Sequence, residues 1–449
     1  LSEVGEPGVQ LRPVSFHLED GGDGLLDADD HLLFYGQSTD RWIADPDGER
    51  RFLTNPFTGS NVYWVSIGAG VPIDSETIDG SLVGDPAIHT TYTAREHYEL
   101  QRAPLNIAPG NIPSGKEWYW ELLQPGVPQT LDVSLSDAAS TAVTLRVGVT
   151  THALGDARVQ LLWDTRVVAT SSLPRDELTV LQDTIEVEGG AGQLKVRALG
   201  DSTAFLDWYE VEYERHLSTV DGMLIFDGAS ADRAAYALAG FDTAPRLFDV
   251  SDEGLTQITG ASFDETAGQL SFQAAATDGM RRYAAVIDSS LMTVSNVQAR
   301  SLGELRGSGG ADYVVITHAD FSSAAQDLAD WRATDDRHAP APSVALIDVA
   351  QIYDDFSGGL FDPTAIRDFL RHAHQHWSPA PSFVVLFGDG TYDYRNHSGT
   401  SPGNWIPPYE DGVSTYDEWY TYVSGDDTLP DMAIGRLSVQ TADEALGLT

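Results

Sequence analysis

"SFVVLFGDGTYDYRN", residues 382–396, is an apolar run that stops at a Gly-Asp-Gly corner and continues as polar and aromatic sequence. Two further apolar runs of strand length precede it, "ADYVVITHA" (311–319) and "PSVALIDVAQIY" (342–353). The stretches between them, "FSSAAQDLADWRATDD" (321–336) and "DPTAIRDFLRHAHQHW" (362–377), carry apolar residues at helical spacing. Asp362 is placed to cap the second of these helices, with Pro363 at its first position. Strand, helix, strand, helix, strand is the rhythm of a parallel sheet with right-handed crossovers. In such sheets functional groups collect beyond the carboxyl ends of the strands. That makes His318, Asp348 and Asp389, one at the end of each run, candidates for the rim of a cleft. Gly388 and Gly390 allow a sharp turn around Asp389. Its carboxylate then either lines the cleft or caps the turn.

Upstream the pattern is different. Residues 1–215 read as a β-rich region, with alternating runs such as "TLDVSLS" (130–136), "AVTLRVGVT" (142–150), "RVQLLWD" (158–164), "GQLKVRA" (192–198) and "FLDWYEVEY" (205–213). Period-two alternation broken by Gly, Asp, Ser and Pro predicts a sandwich or jelly-roll. Residues 216–305 suggest a smaller mixed β domain, with "GMLIFDG", "PRLFDVS", "GQLSFQA" and "RRYAAVI" as short strands. Residues 306–449 then hold the parallel-sheet domain. The expected chain is therefore multidomain, with β-rich units followed by an α/β sheet.

Composition narrows the function classes. Sixty-eight acidic against 26 basic residues give a formal net charge of -42. Only Lys116 and Lys195 are lysines. Such a field repels phosphate backbones, which argues against nucleic acid as a partner. A surface solvated for high salt accounts for the acid excess, and the lysine depletion fits a salt-adapted source. The chain has no cysteine, which excludes disulfides, thiolate metal sites and a cysteine nucleophile within these residues. No run of eighteen apolar residues is present, so no transmembrane helix is expected. A sequence that opens with Leu1 fits a processed secreted protein or a cloned fragment.

Other motifs carry less. "SGDDTLPD" (424–431) gathers Asp426, Asp427 and Asp431, oxygen ligands suited to structural calcium or simply a solvated loop. "EDGGDGLLDADD" (19–30) lacks the spacing of a calcium loop and reads as a turn between strands. His372, His374 and His376 do not converge on a helix, although His372 and His376 share a face. A solvated helix end is the simpler account of them. Trp42, Trp118, Trp120 and Trp208 are candidates for glycan stacking or for ordinary core packing.

The stretches "DYVVITHADFSSAAQDLADWR" (312–332), "VALIDVAQIYDDFSGGLFDPTAIRDFLRHAH" (344–374), "FVVLFGDGTYDYRN" (383–396) and "DMAIGRL" (431–437) together resemble the gingipain-type cysteine peptidase family. "LLFYGQSTDRW" (32–42) and "FLDWYEVEYER" (205–215) are similar to the β-rich N-terminal region of its sortase-like members. The resemblance implies a caspase-like fold and a secreted, cell-surface peptidase of a Gram-negative bacterium. It implies as partners exported cargo with C-terminal sorting domains and the outer-membrane components of type IX secretion. It also implies a thiolate nucleophile with histidine as base and acid, backbone donors for the oxyanion, and no required cofactor. The family's histidine follows a "GHG" stretch after the strand matching "DMAIGRL", and its cysteine comes later still. None of the twelve histidines here fits that pattern, so both catalytic residues are expected downstream of Thr449. The chain by itself, its peptidase domain incomplete at the C-terminus, is expected to be inactive. A non-catalytic adhesion or scaffold protein that retains the fold is the alternative.

Overall fold

The structure, a computed structural model, describes the chain apart from residues 1, 5–10, 23–26, 29, 45–49, 67–76, 107–112, 220, 230–232, 252–253, 275–279, 295, 308, 336–339, 412–413 and 449. In the leading region, strands Thr91–Glu99, Ala204–His216, Ala138–Thr150 and Thr179–Glu186 hydrogen-bond in that order, and Glu121–Leu123 also pairs with Ala204–His216. A second antiparallel sheet runs Gln129–Ser134, Ala191–Leu199, Ala157–Trp163, Arg166–Leu173. Alternate residues of each strand point inward. Val143, Leu145, Val147 and Val149 from one sheet meet Val159, Leu161, Leu194 and Val196 from the other in one buried core.

The next unit also has two sheets. Met223–Asp227, Arg282–Val286, Arg246–Asp249, Thr256–Thr259 and Thr77–Asp79 form one. Ser262–Asp264, Gln269–Gln273, Ala235–Leu238 and Ile88–His89 form the other. Phe226, Tyr236, Leu238, Phe272 and Tyr283 make the core between them. The sequence pattern predicts a unit whose strands all come from residues 216–305. Two edge strands instead come from residues 77–89 and pair in parallel with much later residues. They are two or three residues long and mostly exposed, so they carry no periodic signature. Where the chain passes from one unit to the other, Thr91 pairs with His216 and the Leu217 amide donates to the Thr90 carbonyl at 2.8 Å.

The last unit is the parallel sheet. Its elements are Tyr313–Thr317 (β1), Ser322–Ala333 (α1), Val344–Asp348 (β2), Val349–Phe356 (α2), Thr364–His376 (α3), Phe383–Phe387 (β3), Ala433–Leu437 (β4) and Ala442–Leu446 (α4). The strand order is β2-β1-β3-β4, every pair parallel. Val314 and Ile316 pack with Ile352 of α2 and with Phe369 and Leu370 of α3. Tyr313 and Val315 pack on the opposite face with Ala324 and Ala325 of α1 and Ala445 of α4. Helices thus cover both faces, which is why these strands are uninterrupted apolar runs rather than alternating ones. The Thr364 amide donates to Asp362 Oδ1 at 2.8 Å, the expected cap, and the helix begins at Thr364 rather than at Pro363. Among the described residues no helix is long and apolar enough to cross a membrane.

The leading region grips the loop that follows β3. Arg395 binds both Asp40 oxygens, at 3.1 and 2.9 Å, and donates to the Asn55 carbonyl at 2.8 Å. Phe57 lies edge-on to Tyr394, and the Trp118 and His397 rings are 5.1 Å apart. Lys116 sits 3.9 Å above the Tyr409 ring and donates to the Glu410 carbonyl.

Candidate functional site

At the carboxyl end of β1 the chain turns at His318 into a single 3₁₀ turn and then α1. The His318 imidazole accepts the Asp320 amide at 3.2 Å, so it caps that turn while staying partly exposed. Asp348, at the end of the neighbouring strand β2, does the same for α2, accepting the Ala350 amide at 2.9 Å. Asp389 follows β3. Its carboxylate accepts Gln440 Nε2 at 2.6 Å, and its backbone carbonyl accepts the amides of Trp405 and Ile406 at 3.1 and 3.0 Å. The three residues do lie at the ends of three adjacent strands. Two of them act as caps, and Asp389 is held by a side chain 51 residues downstream.

Four residues that the motif reading passed over complete this rim. Asp320 receives Trp405 Nε1 at 3.1 Å and lies 3.4 Å from His318 Nδ1. Phe321, fully buried, packs between the His318 and Trp405 rings. Arg436 of β4 reaches under the corner. It forks onto Asp417 at 2.6 and 2.8 Å and donates to the Gly388 and Ile406 carbonyls at 2.8 and 2.6 Å. Gly390 lies against the Ile406 backbone, where a Cβ would come within 2.3 Å of the carbonyl oxygen. The corner is therefore pinned from both sides, by β4 and by the 405–407 segment. No signal short of the fold brings Arg436 or Trp405 to this corner, because their partners are 19 to 85 residues away.

Behind the rim, the loop is held by its own buried carboxylate. Asp393 accepts the amides of His397 and Ser398 at 2.8 and 2.9 Å. The letters Gly399-Thr400-Ser401-Pro402-Gly403 spell a nucleophile-elbow pattern, but they lie in this loop rather than at a strand-to-helix turn. Where the loop meets the leading region is a cavity of about 270 Å³ whose walls include Glu99, Lys116, Trp118, Asp207 and His397. Burial, then the nearby Glu99, pushes the Asp207 carboxyl up to about 7, against the opposing effect of His97. Burial lowers His397, with Arg395 acting in the same direction.

The other sequence candidates do not join this site. Asp427 Oδ1 accepts the Leu429 amide at 3.0 Å, and Asp431 Oδ2 accepts the Val423 and Ser424 amides at 3.0 and 2.8 Å. Asp426 is exposed on the same loop. Among the described residues no group of three or more His, Asp or Glu is arranged to hold a metal ion. The His372 and His376 rings stand 4.6 Å apart, and His372 Nε2 lies 3.3 Å from the Arg306 carbonyl. Of the 19–30 stretch, residues 23–26 and 29 lie outside the described residues. Trp118 and Trp120 are buried, and Trp42 packs against Phe52 and His97. The Trp208 ring fills the space beside Gly148.

Comparison with known proteins agrees with the sheet. Residues 306–448 match peptidase family C25, a family of cysteine peptidases. Dimeric latent PorU from Porphyromonas gingivalis superposes with a TM-score of 0.67 at 16% identity, covering 99% of this chain and 44% of that one. The chain thus spans less than half the length of PorU. A family 35 carbohydrate-binding module from an environmental isolate (TM-score 0.21, 13% identity, 27% of this chain and 90% of that one) has only a local likeness. So does the C-terminal CBM6 of LamC from Zobellia galactanivorans (0.19, 12%, 26% and 98%). No curated protein matches the chain. Residues 306–448 are thus similar to peptidase family C25, and the chain as a whole shares the fold of PorU.

Proposed function

We propose that this chain is the N-terminal portion of a secreted gingipain-type cysteine endopeptidase and sortase of the PorU kind, which processes the C-terminal sorting signals of type IX secretion cargo. The observation that carries the reading is the C25 match over 306–448, a parallel sheet whose strand ends form a pinned rim. With no cysteine among the 449 residues, the thiolate and its histidine come from a segment that follows Thr449. That thiolate would attack the peptide carbonyl, and the histidine would take and return the proton. These residues supply the frame: a jelly-roll-like leading region (1–215), a smaller β unit (216–305, completed by edge strands from residues 77–89), and the half-sheet (306–449) with His318, Asp348 and Asp389 along the cleft. The partners are exported cargo and the outer-membrane secretion components, at the surface of a Gram-negative, salt-adapted bacterium.

The test uses the full natural protein. It should cleave a reporter bearing a C-terminal sorting domain, lose that activity on alkylation of one cysteine by iodoacetamide, and leave residues 1–449 alone inert. A full-length protein that neither reacts with iodoacetamide nor cleaves the reporter would replace this reading with the adhesion or scaffold alternative.

A further inference from the structure

A second cavity, of about 220 Å³, lies between the leading region and the 216–305 unit, remote in sequence from every residue of the rim. Its walls include Trp42, Arg50, Arg95, Arg215, Asp227 and Arg282. Four guanidinium groups on one cavity stand out in a chain of net charge -42 with only 26 basic residues. Three carboxylates face them. Arg282 forks onto Asp227 at 2.8 and 3.2 Å, and Arg95 puts two donors on Glu210 Oε2 at 2.9 and 2.7 Å. Those two forks are committed. Arg50 spends one nitrogen on Asp227. Arg215 stands 3.5 Å from Glu96 and hydrogen-bonds the Tyr92 side chain, while its buried Nε has no hydrogen-bond partner among the described residues. A buried donor left unmade is costly, and structures seldom tolerate one without a reason. Trp42 forms an apolar wall with the Arg95 guanidinium 4.7 Å from its ring centre. The volume leaves room for an oxyanion on a short stem.

We propose that this cavity is a binding site for a small oxyanion, a phosphate, sulfate or carboxylate group, clamped by Arg50 and Arg215. Planar guanidinium forks match the paired oxygens of such groups. The Arg95–Glu210 and Arg282–Asp227 pairs form its walls, and the site ties together the two β units whose strands supply the arginines.

The probes are inorganic phosphate, sulfate and citrate, each titrated at low ionic strength into the protein while the arginine Nε–H resonances and calorimetric heats are followed. Saturable 1:1 binding of at least one probe is expected, and the ranking among the three identifies the anion class. Arg50→Gln and Arg215→Gln should each weaken it at least tenfold, whereas Arg166→Gln, on an exposed strand of the leading region, should leave it unchanged. If a cavity variant does not fold, the wild-type titration still decides. No saturable response to any of the three probes overturns the site, as does binding that persists unchanged in both variants.

Discussion

Replacing Arg436 by methionine keeps the apolar stem and removes the guanidinium beneath the Gly-Asp-Gly corner. Four hydrogen bonds of 2.6 to 2.8 Å that it donates go with it, two to Asp417 and one each to the Gly388 and Ile406 carbonyls. The Arg436 and Asp417 side chains are 13% and 21% exposed, so the pair sits largely out of water. Removing one partner of a buried pair costs about 3 to 5 kcal/mol, and partial exposure selects the lower end. Each carbonyl that loses its donor adds roughly 0.5 kcal/mol where water can enter. The sum is about 4 kcal/mol, or close to a thousandfold in the local opening equilibrium. Hydrogen exchange read by mass spectrometry on peptides covering 386–392 and 403–421 measures that opening directly. The amides of Gly388, Asp389, Trp405 and Ile406 should lose protection together, because the carbonyls that Arg436 holds belong to both segments. Arg436→Lys should recover less than half, since an ammonium cannot fork. Adding Asp417→Asn to Arg436→Met should cost less than the two changes summed, because no unpaired carboxylate then remains. A loss of protection under tenfold, or confined to one segment, would refute the reasoning.

Gly390→Ala should destabilise the same corner by about 1 to 3 kcal/mol, because the new Cβ meets backbone atoms of Ile406 and Pro407 that cannot swing away. A urea midpoint equal to wild type would show that the 405–407 segment yields freely. Arg395→Met should loosen the grip of the leading region on the loop, raising exchange at residues 38–58 and 391–398 together; a change on one side only would mean the contact does not couple them. The Asp207 carboxyl, raised from 3.8 to about 7, stabilises the fold fully below about pH 4, and that contribution is lost as pH rises through 7. At about 1.36 kcal/mol per unit the shift amounts to roughly 4 kcal/mol, so stability should fall from pH 5 to 8 and fall less in Asp207→Asn. Burial opposes the charge on His97, but its bonds to Glu210 and Glu99 prevail and raise it, so it contributes a slope of the same sign that survives in the variant. A flat wild-type profile would contradict both.

The parallel sheet was readable because both faces of β1 and β3 are covered, leaving apolar runs with no polar alternation to blur them. Placing His318, Asp348 and Asp389 at strand ends followed from the same runs. Their jobs did not follow. The residue after a strand is also the residue before the next helix, so His318 and Asp348 serve as caps whatever else they do. Arg436 and Gln440 read as ordinary surface residues until the sheet folds, since their partners Gly388 and Asp389 belong to another strand's end. Thr77–Asp79 and Ile88–His89 stayed hidden for a related reason, as their identity as strands resides entirely in residues 235–236 and 257–259.

The Thr91–His216 pairing and the bond from Leu217 to Thr90 place the entry and exit of the leading two-sheet body side by side, after the chain has already laid down two edge strands of the next unit. Topologically that body is an insertion, hung from its host through a single doorway. A short turn across the doorway, joining residue 90 to residue 217, would delete the body without re-threading the host. An ancestor could have enlarged, exchanged or lost it by the same step. A truncation that simply begins at 216, by contrast, would strip an edge from both host sheets and expose two rows of unpaired backbone groups.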